Sequence, residues 1–389
     1  MKIELKYGCN PHQKPAYLAF ENGTSPLTVV NGSPGYINLL DALNAWQLVK
    51  ELRTATDLPS AASFKHVSPA GVAVARPLTG AFVQSQMLPD ADLSPIATAY
   101  ARARGGDRMS SFGDAAAVSD TVDLSLAQLL AREVSDLIIA PAYEPDALEL
   151  LKSKRKGNYL ILQMAPDYEP PEIETRDVAG FTLSQRRNDA QITRETFANV
   201  IAGDRDLPDD VLETLIVATI ALKYTQSNSV CVAYDGQVIG MGAGQQSRIH
   251  CTRIACDKAD KWFMQQHPQV LKANLAPGLK RPEKTNAIDQ YLLWDQLSEA
   301  EEAAMLASFA TRPDPITRDK RAGWLAQFEG VCLSSDAFFP FRDNIDRASR
   351  SHVGVIAQPG NSLRDDEVTQ AAADYGMTMI HTGVRCFQH

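Results

Sequence analysis

The chain has 389 residues, 44% of them hydrophobic and 22% charged, with a formal net charge of −9. A chain this long can bury a core without disulfide or metal staples, and its length predicts two or three domains, or two large ones. The acidic balance argues against nucleic acid as a main partner, since phosphate backbones require a basic surface. It leaves room for a small phosphorylated ligand held by a few local cations.

The first residues, Met1 to Lys6, contain no apolar signal region, and the longest clear apolar run, about Leu215 to Leu222, is too short to cross a bilayer. A cytoplasmic location and no membrane partner are therefore expected. The six cysteines, Cys9, Cys231, Cys251, Cys256, Cys332 and Cys386, are scattered without a Cys-x-x-Cys pair. They read as reduced thiols, mostly packing, and form no closed zinc-ligand pattern.

Lys6 to Lys14 is a polar loop with Gly8 and Pro11. Asn38 to Arg53 carries Leu39, Leu40, Leu43, Trp46 and Leu48 at helical spacing, with Asp41 and Asn44 expected on the wet face. Next comes Ser63-Phe64-Lys65-His66-Val67-Ser68-Pro69-Ala70-Gly71. Its first residues end a strand, and Pro69 and Gly71 are expected to force a turn. Lys65 and His66 together offer a cationic donor and a base that titrates near neutrality. Taken alone, the same stretch is more often a solvated lysine beside a structural histidine.

Pro95 to Arg104 predicts a helix opened by its proline. Gly105 to Asp114 is rich in Gly and Ser, with Asp107, Arg108 and Asp114. It reads equally as a ligand loop or a solvated connection. Helices over Leu124–Val134 and Pro145–Lys154 alternate with strands over Asp136–Pro141 and Tyr159–Leu162, an α/β pattern. The Pro-, Asp- and Glu-rich stretch 165–178 is the best candidate for a connection between halves. The expected division is 1–175 and 176–389.

The second half has similar texture. Pro208 opens a long helix through Leu222, with acids at its positive end. The polar run Lys223 to Ser229 precedes a strand over Val230–Tyr234, Asp235-Gly236 signals a hairpin, and Val238–Gly240 returns. Gly242 to Arg248 is a glycine-rich strand-to-helix turn that can offer N–H groups to an anion, without the spacing of a P-loop. A helix with Ile249, Ile254 and Trp262 follows. Beyond it come strand and loop over 331–343, a helix after Asp343, a strand over Val353–Ala357, a turn at Pro359–Ser362, a helix over Arg364–Tyr375 and a strand over Met377–Ile380. A terminal apolar strand so near His389 predicts a tail held in the fold.

Several of these stretches together resemble the AICAR transformylase family, the formyltransferase part of bifunctional purine-biosynthesis enzymes. They are Lys6 to Gln13, Phe64 to Gly71, Asp107 to Asp114, Lys223 to Ser229, Gly242 to Arg248, Ser335 to Asp343 and Arg385 to His389. Each is weak alone. In order, from about Lys6 to His389, they are specific. The resemblance implies an α/β fold of two tandem cytidine-deaminase-like domains and a homodimer with active sites at the subunit interface. It implies transfer of a formyl group from 10-formyltetrahydrofolate to the 5-amine of 5-aminoimidazole-4-carboxamide ribonucleotide (AICAR), without a catalytic zinc.

By motif position the resemblance implies Lys65, His66 and Asn228 as catalytic residues. It implies Lys6, Tyr7, Gly113, Asp136, Arg248 and Arg385 as AICAR contacts, and Ile249, Asp343, Ser362 and Leu363 as folate contacts. It also implies a potassium ion near Thr225, Ser227, Ser229 and Asp336. Phe338, Phe339, Phe341 and Phe387 are either ligand walls or core. Three positions depart from the family pattern: Lys6 replaces a common arginine and loses its bidentate fork, Gly360-Asn361 varies a folate-loop pair, and Cys386 replaces a larger residue. The family's usual IMP cyclohydrolase domain is not expected here, so a separate protein would close the ring. The alternatives are a non-catalytic purine- or folate-binding regulatory protein, or a transferase using another one-carbon donor.

Overall fold

The computed structural model describes residues 2–20 and 23–389. β1 (Lys2–Leu5) and β2 (Ala16–Ala19) pair as a small antiparallel ribbon. There follow β3 (Leu27–Asn31), α1 (Tyr36–Thr56), β4 (Ser60–Lys65), β5 (Ser68–Val74), α2 (Gly80–Ser85), α3 (Pro95–Gly106), β6 (Asp114–Val118), α4 (Leu124–Ala131), β7 (Ser135–Ala140), α5 (Pro145–Ser153) and β8 (Leu160–Met164). β9 (Ile173–Val178) and β10 (Phe181–Arg186) form a solvent-exposed hairpin, and the 175/176 division falls inside it.

The remaining strands are β11 (Val200–Ala202), β12 (Val230–Tyr234), β13 (Gln237–Gly242), β14 (Cys332–Ser335), β15 (Val355–Gln358) and β16 (Thr378–His381). Their helices are α6 (Asp209–Lys223), α7 (Arg248–Gln265), α8 (Pro268–Leu271), α9 (Arg281–Leu292), α10 (Glu299–Leu306), α11 (Arg318–Leu325), α12 (Asp343–Ser349) and α13 (Asp365–Asp374).

Twelve strands make one mixed sheet, in the order β11-β16-β15-β14-β12-β13-β5-β4-β6-β7-β8-β3. Counted outward from the β5–β13 seam, the two sides follow one plan: β5-β4-β6-β7-β8-β3 and β13-β12-β14-β15-β16-β11. Pairing sense repeats as well, with the first two pairs antiparallel, the next two parallel and the last antiparallel. Even register repeats: Ala61 faces Val118 and Ser63 faces Gly71, as Val230 faces Ser335 and Val232 faces Gly240. A Cβ on Gly71 would lie 2.0 Å from the Ala103 carbonyl oxygen, and one on Gly240 2.0 Å from that of Ala255. Each glycine lets a helix that follows its hairpin, α3 for Gly71 and α7 for Gly240, pack directly on the sheet.

Alternation along the strands supplies both faces. Ala62, Phe64, Ala115, Ala117, Leu137 and Ile139 pack with α1 and α6 on one side. Ala61, Ala116, Val118, Ile138 and Ala140 pack with α3, α4 and α5 on the other. In the second half that other side carries Val230, Val232, Leu333 and Ile356 under α7, α12 and α13. The result is helix, sheet, helix, with each large buried aliphatic contributing ~1.5–3 kcal/mol.

Three local expectations change. Pro69 and Gly71 lie within β5, where a bulge opposite Ser63/Phe64 accommodates the proline, and the turn is His66-Val67. Pro208 caps α6 from outside its first turn. Asp41 is buried rather than wet. The tail is held as expected: Gln388 exchanges hydrogen bonds with Ser227 through N–H to Oγ and carbonyl to N–H, and the Cys386 N–H donates to the Asp336 carbonyl at 2.8 Å. No cysteine forms a disulfide, and all except Cys9 are buried. Burial pushes the Cys386 thiol up to about 12.

Candidate active site

Strand direction gathers the residues singled out from sequence. β4 and β14 end, and β6, β7 and β12 begin, on the same edge of the sheet, because each reversal in the pairing order is matched by the next. Lys65, Gly113, Asp136, Asn228, Asp336 and the 359–363 turn after β15 therefore share that edge. Arg248 opens α7 just beyond the end of β13, on the same edge.

One cluster surrounds Lys65. Its ammonium donates to the Phe112 carbonyl at 3.1 Å and to the Gly113 carbonyl at 2.8 Å. An ammonium has three donors, so one is left free. Gly113, at φ +72°, has Lys65 Nζ and an Asp136 carboxylate oxygen beside it, where a Cβ would come within 3.1 and 3.5 Å of them. Asp136 also pairs with Arg155 at 2.8 Å. His66 is exposed at the hairpin tip.

A buried polar network fixes the floor of this cluster. The Asp114 carboxylate is fully buried and meets Arg104 at 2.8 Å, Ser63 Oγ at 2.8 Å and the Tyr100 hydroxyl at 3.0 Å. Burial, aided by the Asp114 charge, drives the Tyr100 hydroxyl far above its usual range, so it stays a donor. The network ties the end of β4 to the start of β6, the two chain segments that set Lys65 against its carbonyls.

The second cluster centres on Asp336, which is fully buried. One carboxylate oxygen pairs with Arg248, and the other accepts from Ser227 Oγ at 2.6 Å and the Ser229 N–H at 2.9 Å. The Arg248 guanidinium also donates to Ser335 Oγ at 3.0 Å and to Asn228 Oδ1 at 2.6 Å. The Asn228 amide donates to the Gln245 carbonyl at 2.9 Å. Arg248 is thus buried and internally paired, whereas Lys6 and Arg385 are exposed and have no acidic partner among the described residues. They rest near the Tyr7 and Phe387 rings, at 5.9 and 4.8 Å.

For the potassium ion that the resemblance implies, most of the expected oxygens already take part in hydrogen bonds. Thr225 Oγ1 donates to the Ala221 carbonyl, Ser227 Oγ to Asp336, and Asp336 already faces a guanidinium. Ser229 Oγ is buried and unpartnered. A hydroxyl that donates its proton keeps lone pairs that a cation can share, so Thr225, Ser227 and Ser229 retain oxygens for one, and no step is routed through it. Among the described residues no group of three or more His, Cys, Asp or Glu is placed to hold a metal, and no helix is long and apolar enough to cross a membrane.

Two strands, β5 and β13, separate the clusters, a spacing of about 14 Å at ~4.8 Å per strand step. They are bridged by the Gln226 N–H, which donates to Ser68 Oγ at 3.3 Å. Ile249 is half-buried on α7, Asp343 is exposed in the first turn of α12, and Leu363 is fully exposed beside Ser362. Of the phenylalanines, Phe339 belongs to the core, while Phe338, Phe341 and Phe387 are exposed. Asp114, Ser68 and Gln226 lie within the motif stretches, but nothing in those stretches tells which partners they take, and Asp41 lies outside them.

The model of the AICARFT/IMPCHase bienzyme family matches residues 1–258. The chain is 29% identical over 392 residues to the bifunctional purine biosynthesis protein PurH of Sorangium cellulosum, and 30% identical over 389 residues to that of Roseobacter denitrificans. Each match covers 99% of this chain. The chain spans 58% and 59% of the length of those two relatives.

Proposed function

The chain belongs to the AICARFT/IMPCHase bienzyme family, and from that premise we propose that it transfers the formyl group of 10-formyltetrahydrofolate to the 5-amine of AICAR, releasing tetrahydrofolate. The observation that carries this reading is Lys65. Two of its N–H groups are held by the Phe112 and Gly113 carbonyls, and the third is free beside an exposed histidine.

The acceptor amine is conjugated to the imidazole ring and is a weak nucleophile, so attack on the formyl carbon needs two kinds of help. His66 takes the amine proton as general base, a contribution of ~10²–10⁴-fold. Lys65 turns its free N–H to the oxyanion of the tetrahedral intermediate, worth ~10²–10³-fold, and then protonates the folate nitrogen as it leaves. Asn228 donates and accepts at once and orients the formyl group and the carboxamide. Lys6 and Arg385 are the free cations for the ribonucleotide phosphate. Arg248 organises Asn228 through its 2.6 Å hydrogen bond. Asp343, Ser362, Leu363 and Ile249 line the folate side. Residues 1–389 carry the transfer, ring closure lies outside them, and two copies assemble over this edge in the cytoplasm.

Single-turnover mixing with AICAR and 10-formyltetrahydrofolate tests this. Formyl-AICAR accumulating with tetrahydrofolate, and without IMP, is the expected result. IMP formed at the same rate would assign ring closure to these residues, and no tetrahydrofolate with both ligands bound would overturn the transfer itself.

A further inference from the structure

The two hairpins at the heart of the two halves are built alike. Lys65 pairs with Ser68 across His66-Val67, and Tyr234 pairs with Gln237 across Asp235-Gly236. Both pairs of turn residues are left-handed: His66 and Val67 at φ +53° and +62°, Asp235 and Gly236 at +48° and +69°. Asp-Gly is the sequence such a turn favours, whereas a β-branched valine there is strained. In each half the N–H of the second turn residue donates to a side chain on the preceding long helix. Gly236 N–H reaches Thr214 Oγ1 on α6 at 2.9 Å, and Val67 N–H reaches Asp41 Oδ1 on α1 at 2.5 Å.

The second half shows that a neutral hydroxyl satisfies this N–H. A carboxylate in the same place is therefore more than the hydrogen bond requires. Asp41 is only 6% exposed; burial raises its carboxyl, while the Val67 N–H and the charges of His66 and Lys65 pull it back down. The other charge facing it is Asp136 on β7, which is itself paired with Arg155. Among the described residues Asp41 has no ion-pair partner, and a buried charge without one is costly unless something uses it.

We infer that Asp41 is a positioning residue for His66: its hydrogen bond holds the strained His66-Val67 turn, and its negative charge stabilises the imidazolium formed when His66 takes a proton. The assignment of a base role to His66 rests on the function proposed above, whereas the coupling between Asp41 and the imidazole does not.

The test is an NMR titration of the His66 imidazole in the full chain, with Asp41→Asn, Asp41→Thr and the double variant Asp41→Thr/Val67→Gly. The double variant copies the second half's arrangement and protects against simple failure to fold, which a thermal melt monitors. In all three variants the imidazole is expected to give up its proton at lower pH than in the wild type. In turnover, the acidic limb of the kcat/KM profile should move by the same amount and the plateau fall several-fold. A titration unmoved in the folded double variant, or wild-type turnover restored in it, would overturn the inference. Wild-type protein without turnover but with the titration shift intact would instead sink the proposed reaction and leave the coupling standing.

Discussion

At the start of β4, the Ser60 N–H donates to Ser119 Oγ at 2.9 Å, and the Ser119 N–H donates to the Ser60 carbonyl at 2.9 Å. At the start of β12, the Ser229 N–H donates to Asp336 at 2.9 Å, and the Asp336 N–H donates to the Ser229 carbonyl at 3.2 Å. The backbone device is the same, but one half closes it with a neutral hydroxyl and the other with a carboxylate that must then be paired with Arg248. Because β5 and β13 meet antiparallel, the halves present opposite ends to any one edge. The edge that carries Lys65, His66, Asn228, Arg248 and Asp336 has no chemical twin. Across the sheet, the equivalent hairpin tip is Asp235-Gly236 and the equivalent of Asp336 is Ser119. The duplicated framework is shared, and the reactive groups are not.

The sharpest way to break this comparison is at the two hairpin tips. His66→Ala should lower kcat by ~10²–10⁴-fold, while Asp235→Ala at the matching tip leaves turnover within a few-fold. Asp235 does hold Arg76 and Arg102, so its variant should show its cost in unfolding instead. Steady-state kinetics together with urea unfolding of both variants checks the pair. Near-normal turnover of His66→Ala would remove the base.

Asp336→Ala comes next. It leaves a buried guanidinium without its partner, and ~3–5 kcal/mol of stability should go with it. The counterpart Ser119→Ala removes one acceptor from a buried N–H and should cost ~1–3 kcal/mol. Equal losses would mean that the charge at Asp336 adds nothing to the shared device. Where the halves are truly alike, the effects should be alike. Gly71→Ala and Gly240→Ala each drive a Cβ against a helix carbonyl at 2.0 Å. Each should cost a similar ~1–3 kcal/mol or more, measured as the shift in urea midpoint.

How much of this was legible in the sequence follows from the range of each interaction. Helices α1, α6 and α7 were visible through their apolar residues, α3 through its opening proline, and the Asp235-Gly236 turn through residues that favour left-handed backbone. The His66-Val67 turn was hidden because neither residue favours that conformation; a carboxylate distant in sequence holds it. Pro69 and Gly71 pointed to a turn but serve a bulge and a close helix approach. Asp41 occupies a polar position in an amphipathic pattern, and nothing local says that its neighbour is a turn rather than water. Asn228 and Arg248 were identified as site residues by motif, yet their mutual hydrogen bond and the pairing of Arg248 with Asp336 depend on β14, far along the chain. Local chemistry was readable, and the contacts that commit a charge were not.

The smallest expected effect concerns the stability cost of Asp41 itself. Burial raises its carboxyl above the ordinary value of 3.8, against the opposing pull of the Val67 N–H and of His66 and Lys65. The folded protein therefore binds this proton more tightly than the unfolded chain does. Between the ordinary value and the raised one, unfolding releases a proton, so stability from this group falls as pH rises; above both values the penalty is constant. Asp41→Asn keeps an acceptor for the Val67 N–H and lacks the titrating charge. Its stability relative to wild type should improve from pH 4 to pH 7, read by parallel urea unfolding, even as its turnover drops. A variant that loses stability over that interval would mean that the ionised carboxylate is well paired in the fold, and the contrast with neutral Thr214 would then reflect stability rather than the chemistry of His66.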